Sequence, residues 1–174
     1  MRSQNGFSLV EALVVGIIGS ILAGMFIAFM YVHNDAVNRG VARGTLLTRS
    51  EIVSNRIAAA VRSASRVFEI NEPWNANPQL TVRNASFIAL YDNTGNTIAV
   101  FSISPSSQRL SEGASRDSLT AFKTGGDIVT TTPGSSFILS ADRRQVTLDL
   151  GYMIHYRGKT YTVTSKKDAY LCRN

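Results

Sequence analysis

The sequence predicts an α+β protein, a long N-terminal helix whose first half is apolar throughout and whose second half packs on an antiparallel β-rich head. Three observations carry this expectation. Ala12 to Val32 is a run of 21 residues without a charged side chain. Apolar residues then recur mostly at three- or four-residue intervals through Val37, Val41, Val53, Ile57, Val61, Ala64 and Phe68, with no proline before Pro73. Beyond Pro73 and Pro78 the texture changes to short alternating segments punctuated by Gly, Asn and Ser.

The apolar run, at 1.5 Å per residue, spans about 31 Å, enough to cross a hydrocarbon core. It is too long for a cleaved secretory signal, whose apolar region covers about 7 to 15 residues. Continued to Phe68, the helix would be on the order of 90 Å long, so its second half must stand outside the membrane. Residues 52 to 68 supply the amphipathic stripe expected to cover a sheet. Gly40 and Gly44 lie between the halves. Such a pair of glycines marks the expected place for a bend or a close helix approach.

In the head, Leu80–Val82, Ser86–Tyr91 and Thr97–Ile103 read as strands, with Asp92-Asn-Thr-Gly95-Asn as the hairpin between the last two. Further strands are expected at Ile128–Thr131, Ser136–Ser140, Gln145–Tyr156 and Thr160–Thr164, the last two joined through Arg157-Gly158-Lys159. Ser104–Gly113 and Thr130–Ser136 read as surface loops, and Gly125-Gly126 as a plain turn.

The net charge of +6 is uneven: residues 33 to 68 carry six Arg against Asp35 and Glu51, and residues 69 to 174 carry eleven basic and nine acidic groups. Within the head, Arg157, Lys159, Lys166, Lys167 and Arg173 crowd the final eighteen residues. They are the candidate contacts for nucleic acid or another anionic partner. Cys172 is the single cysteine, so no intrachain disulfide forms. The chain contains no HExxH, P-loop, CxxC or GxSxG, and His33 and His155 lie far apart, which argues against an enzyme and implies no metal or cofactor.

One charge stands out. Glu11 sits at the head of the apolar run, where an intramembrane carboxylate costs roughly 2.5 to 3.5 kcal/mol near a helix centre and marks a functional position. A short leader with Arg2, then Gly6, Phe7-Ser-Leu-Val-Glu11 and about twenty apolar residues, resembles the class III signal of type IV prepilins and pseudopilins. That resemblance implies cleavage between Gly6 and Phe7 by a membrane-embedded prepilin peptidase and N-methylation of Phe7. It also implies that Glu11 meets the Phe7 amine of a neighbouring subunit as apolar helices bundle. The hairpin "ALYDNTGNTIAVFSI", the run "SSFILSADRRQVTLDL" and the closing "LCRN" resemble PilW/PulJ-like minor pilins and J-type minor pseudopilins. The membrane half lacks the proline of many major pilins, and a lone Cys172 cannot close their C-terminal loop, which argues against a major pilin.

The expected organisation is therefore a cleaved leader at 1–6, a transmembrane and assembly half at 7–32, an extracytoplasmic half of the helix at 33–68 and a pilin-like β-rich head at 69–174. The implied function is that of a minor pilin or pseudopilin precursor joining a type IV pilus or type II secretion pseudopilus. Its partners would be the prepilin peptidase, other pilins and the membrane. A DNA-contacting pilus subunit and a single-pass membrane protein with a β-rich sensor head are the alternatives. Counting basic residues around the apolar run would place the head in the cytoplasm; the leader resemblance places it outside.

Overall fold

A computed structural model describes residues 8–69, 72, 81–164 and 167–173. They form two compact units, the first ending at Val41 and the second running from Ala42 through the head. One helix, α1, covers Leu9–Ser63 without interruption. Gly40 and Gly44 stay helical, and a methyl group built on either meets nothing within 4 Å.

In the second unit α1 buries Ala42, Leu46, Val53, Ile57, Ala58 and Val61. Steps of three, four and seven residues place these side chains on one face. The apolar stripe therefore begins ten residues earlier than the expected 52. The helix also stops earlier than expected, at Ser63 rather than Phe68. The Ser65 N–H donates to the Tyr91 carbonyl at 2.8 Å, the Ala64 carbonyl accepts from Arg173 N–H at 2.8 Å, and the chain leaves as a strand. Phe68 lies in that strand, buried edge-on against Tyr91 at 5.8 Å.

The strands are β1 Arg66–Glu69, β2 Arg83–Ala85, β3 Phe87–Tyr91, β4 Thr97–Ile103, β5 Leu110–Gly113, β6 Thr120–Ala121 and β7 Lys123–Thr124. They continue as β8 Asp127–Ile128, β9 Thr130–Thr131, β10 Ser136–Leu139, β11 Gln145–Asp149, β12 Gly151–Tyr156, β13 Lys159–Thr164 and β14 Asp168–Leu171. They build four antiparallel sheets in the orders β1-β3-β4-β5-β6, β14-β11-β10-β2, β13-β12-β9 and β7-β8. Strand β4 and the strand at 136 match the reading from sequence closely; of the expected strand at 80–82, Leu80 lies outside the described residues, Thr81 and Val82 are not in a strand, and β2 starts at Arg83. The segment taken as a loop at 104–113 ends in β5, and that at 130–136 opens with β9.

Two turns show how local chemistry fixes register. The Asp92 carboxylate accepts the Thr94 N–H, the Thr94 hydroxyl and the Asn96 N–H at 2.7 to 2.8 Å. These hydrogen bonds, the Thr94 hydroxyl first, hold its pKa down to about 2. At the other hairpin Tyr156 pairs with Lys159, leaving a two-residue loop of Arg157 (φ 49°) and Gly158 (φ 76°). Two consecutive positive φ values define the type I′ geometry that matches strand twist.

The expected single strand Gln145–Tyr156 is two strands in different sheets. The break falls at Leu150-Gly151, where the Ser135 hydroxyl accepts the Gly151 N–H at 3.0 Å and the Gly151 carbonyl accepts the Thr132 N–H at 2.9 Å. A Cβ on Gly151 would lie 1.9 Å from Thr132 Oγ1, so the crossing needs glycine. Val146, Leu148 and Leu150 are buried, as their alternation predicts.

All the sheets but β7-β8 feed one apolar cluster. Ile88, Phe101 and Leu110 come from the first sheet, Phe137, Leu139 and Val146 from the second and Tyr152 from the third. Leu46, Val53, Ile57 and Val61 complete it from α1. Its edge is tied by a buried ion pair. Arg143 is 1% exposed, with Nη2 and Nε donating to the two Glu72 carboxylate oxygens at 2.8 and 3.1 Å and Nη1 donating to the Ser140 carbonyl at 2.9 Å.

Three outcomes are expected from thermal unfolding followed by circular dichroism on the detergent-solubilised chain. Ile57→Ala should cost about 2–5 kcal/mol, because the cavity opens in the shared core. Gly151→Ala should cost about 1–3 kcal/mol through overpacking against Thr132. The Arg143 hydrogen bonds lower the Glu72 pKa below its ordinary value of 4.5, so its stabilisation is complete above that pH and declines as pH falls through the depressed value. Glu72→Gln should lose that acid-dependent component while remaining less stable at neutral pH.

Candidate functional site at the start of the long helix

The helix begins where a polar side chain precedes an apolar run. Ser8 is the last residue before Leu9, and its carbonyl accepts the Ala12 N–H at 3.0 Å. Glu11 is then the third helical residue and falls in the first turn, so Ser8 and Glu11 stand at the S-x-x-E spacing of a capping box. Unpaired N–H groups and the positive end of the helix dipole favour a carboxylate there. Local structure thus gives Glu11 a reason to sit at this position even within a single chain.

The helix surface around and beyond Glu11 is unusual. Leu9, Val10, Leu13, Val14, Ile17, Ile18, Ile21, Leu22, Met25, Phe26 and Ile27 are all more than 45% exposed, and they occupy every side of the helix. Its best 18-residue window has a mean hydropathy of 2.5, none of it buried, and α1 is the one helix among the described residues long and apolar enough to cross a membrane. Burying each such side chain is worth about 1.5–3 kcal/mol, so the segment requires lipid or other apolar helices around it. The polar group that interrupts it is satisfied internally, since the Ser20 hydroxyl donates to the Gly16 carbonyl at 2.8 Å.

Gly6 and Phe7, the expected cleavage and methylation positions, lie outside the described residues, as does Lys166 of the basic group. The remaining basic residues are not gathered in one place. Arg157 stacks on Tyr156 at the tip of the β12-β13 hairpin, 5.6 Å from ring centroid to guanidinium carbon. Lys159 opens β13, and the strand extends another five residues, roughly 17 Å, before Thr164. Lys167 pairs with Asp149 at 2.8 Å, and Arg173 lies past the far end of β14.

The helix arginines divide in a way that sequence spacing did not reveal. Arg39 pairs with Asp35 on its own helix, and Arg49 with Asp127 at the β7-β8 turn. Arg56 pairs with Glu112 at 2.8 Å and covers the Phe122 ring at 5.2 Å, while Arg62 covers Tyr170 at 5.7 Å. Most of these partners lie dozens of positions away, so no local signal in the sequence could have found them.

The described residues contain no group of three or more His, Cys, Asp or Glu side chains suited to a metal ion. His155 accepts or donates to the Thr160 hydroxyl at 2.9 Å across the hairpin. Burial pushes the Cys172 thiol up to about 11, which leaves it protonated and unreactive at neutral pH.

Residues 1–27 match a family model described as the prokaryotic N-terminal methylation motif. No curated protein and no solved structure matches the chain. The matched segment contains Gly6, Phe7 and Glu11 and most of the exposed apolar helix, and the match supports a type IV prepilin-like precursor.

Proposed function

We propose that the chain is a minor pilin or pseudopilin precursor, a structural subunit that starts or joins assembly of a type IV pilus or a type II secretion pseudopilus. In this reading a prepilin peptidase cuts between Gly6 and Phe7, Phe7 is N-methylated, and the head stands on the extracytoplasmic side of the inner membrane. The observation that carries it is one carboxylate, Glu11, at the head of a membrane-length helix and within the matched methylation motif.

The physical role of Glu11 follows from its surroundings. Cleavage creates a cationic amine four residues before it, and methylation leaves that charge in place. Within lipid, either charge left alone is costly, so a neighbouring subunit's amine and the Glu11 carboxylate stabilise each other when helices bundle. The chain itself performs no catalysis in this reading; it is the substrate of the peptidase and a building element of the filament.

The DNA-contacting alternative has less behind it, because Lys167 is paired with Asp149, while Arg157 and Lys159 sit at the β12-β13 hairpin and Arg173 lies past the end of β14. The sensor alternative leaves the methylation motif without a role.

Three measurements test the proposal. Gly6→Asp should abolish the mobility shift of the processed form on a blot, and unchanged processing would remove the prepilin assignment. Glu11→Val should leave processing intact and lower the chain recovered in the filament fraction by roughly tenfold or more, in line with an uncompensated intramembrane charge. A reporter fused to the C-terminus should be active only outside the cytoplasm. Gel retardation of DNA by the detergent-solubilised chain, weakening steeply with salt, would instead favour the DNA-contacting reading.

A further inference from the structure

The β12-β13 hairpin leaves a sheet edge open. β13, with six residues, is the longest strand at a sheet edge among the described residues, and its single neighbour is β12. On the far side of β12 the Gly151 carbonyl accepts the Thr132 N–H at 2.9 Å, so Gly151 and Met153 direct their backbone groups toward β9. Alternation then turns Tyr152, Ile154 and Tyr156 toward Val163, Tyr161 and Lys159 of β13. The N–H and C=O groups of Thr160, Thr162 and Thr164 therefore point away from the sheet, and all three residues are exposed. Those groups have no backbone partner among the described residues.

An edge of this kind is a template for another strand, and charge, proline or a bulge commonly blunts it. Thr160 to Thr164 contains no charged residue, proline or glycine, and its register with β12 runs without a shift. Its Thr, Tyr and Val side chains all favour extended backbone. The two faces of the strand differ. Tyr161 and Val163 are half-buried and packed on the apolar core, so apolar side chains at alternate positions of an added strand would cover them further.

Charge selects the kind of strand. Between Asp149 and Asp168 the sequence has Arg157, Lys159, Lys166 and Lys167 and no acidic residue. Arg157 and Lys159 are exposed at the hairpin, while Lys167 is already paired with Asp149. A second copy is a poor occupant, because antiparallel pairing of β13 with itself about Thr162 would bring Arg157 and Lys159 of each copy toward Lys167 of the other. Nucleic acid would use the cations and leave the backbone edge unpaired.

We propose that the free edge of β13 is a strand-addition site for an extended acidic segment of a partner protein. Backbone hydrogen bonds to Thr160, Thr162 and Thr164 hold the segment, alternate apolar side chains lie beside Tyr161 and Val163, and its acidic end meets Arg157 and Lys159. The contact uses the head alone and is separate from any bundling of the apolar helices.

The test uses the detergent-solubilised full-length chain and a fluorescein-labelled peptide, Glu-Asp-Val-Thr-Val-Thr-Val, followed by fluorescence anisotropy. Binding should weaken roughly tenfold or more when the two acidic residues become lysine, or when the central threonine becomes proline. In the chain, Thr162→Pro removes an N–H that faces outward and leaves the bonds of Tyr161 and Val163 to β12 in place. It should cost roughly tenfold in binding with little change in melting temperature. Arg157→Glu/Lys159→Glu should reverse the preference toward the lysine peptide. In the unaltered chain the acidic peptide should slow hydrogen exchange at the Thr160, Thr162 and Thr164 amides, a readout that does not depend on how the variants fold. Equal binding of the acidic and lysine peptides, unchanged exchange at these amides, or binding that Thr162→Pro leaves intact would overturn the proposal. So would a dimer of the chain that Thr162→Pro abolishes, which assigns the edge to a second copy, or DNA retardation without peptide binding, which leaves only the cations as a site.

Discussion

The head depends on one surface, the stripe of Leu46, Val53, Ile57 and Val61 on the second part of α1. Its strands are divided among sheets of five, four, three and two members, several with pairings only two or three residues long. Narrow antiparallel sheets have little stability alone and need a helix or another sheet to cover the apolar face. The stripe provides a common wall, and side chains from three sheets meet in a single cluster against it. Arg49, Arg56 and Arg62 reinforce the arrangement from the rim, where an ion pair adds register more than energy.

How much of this could be read in advance depended on how local each cause was. The β3-β4 hairpin was legible because Asp92, Thr94 and Asn96 specify their own turn. The end of α1 was not, since Ala64 and Phe68 continue the helical spacing of Ile57 and Val61 although Phe68 belongs to β1. Both geometries bury Phe68, so periodicity could not separate them. The division between β11 and β12 was hidden because alternation through Leu148 and Leu150 gives no sign that the chain changes sheet. The cause is a close approach to Thr132, nearly twenty positions away.

The same distinction governs the residues proposed to be functional. Gly6, Phe7 and Glu11 lie within six positions and announce themselves together, which is why a short match at the N-terminus finds them. Glu51 and Asp168 line one cavity, and the Glu72–Arg143 pair joins groups 71 positions apart. Such pairs are set by tertiary packing, and a solitary charge in the sequence carries no mark of its partner. Among the described basic residues near the C-terminus, crowding in sequence did not become proximity on the sheet, since Arg157 and Lys159 sit at one hairpin and Arg173 lies past the end of β14.

The two parts of α1 answer different physical needs. From Leu9 to Val32 its apolar side chains point in all directions, and attraction between such surfaces is non-directional, so two of these helices could pack at many axial offsets with little difference in energy. An ordered filament needs one offset. Discrete charges select it, because a misaligned carboxylate or guanidinium loses its partner while a misaligned leucine merely meets another leucine. Glu11 can act in this way at the membrane end, where the low dielectric makes an unpaired charge most costly. Apolar area would then supply most of the assembly energy, and a few charges would decide the register in which it is released.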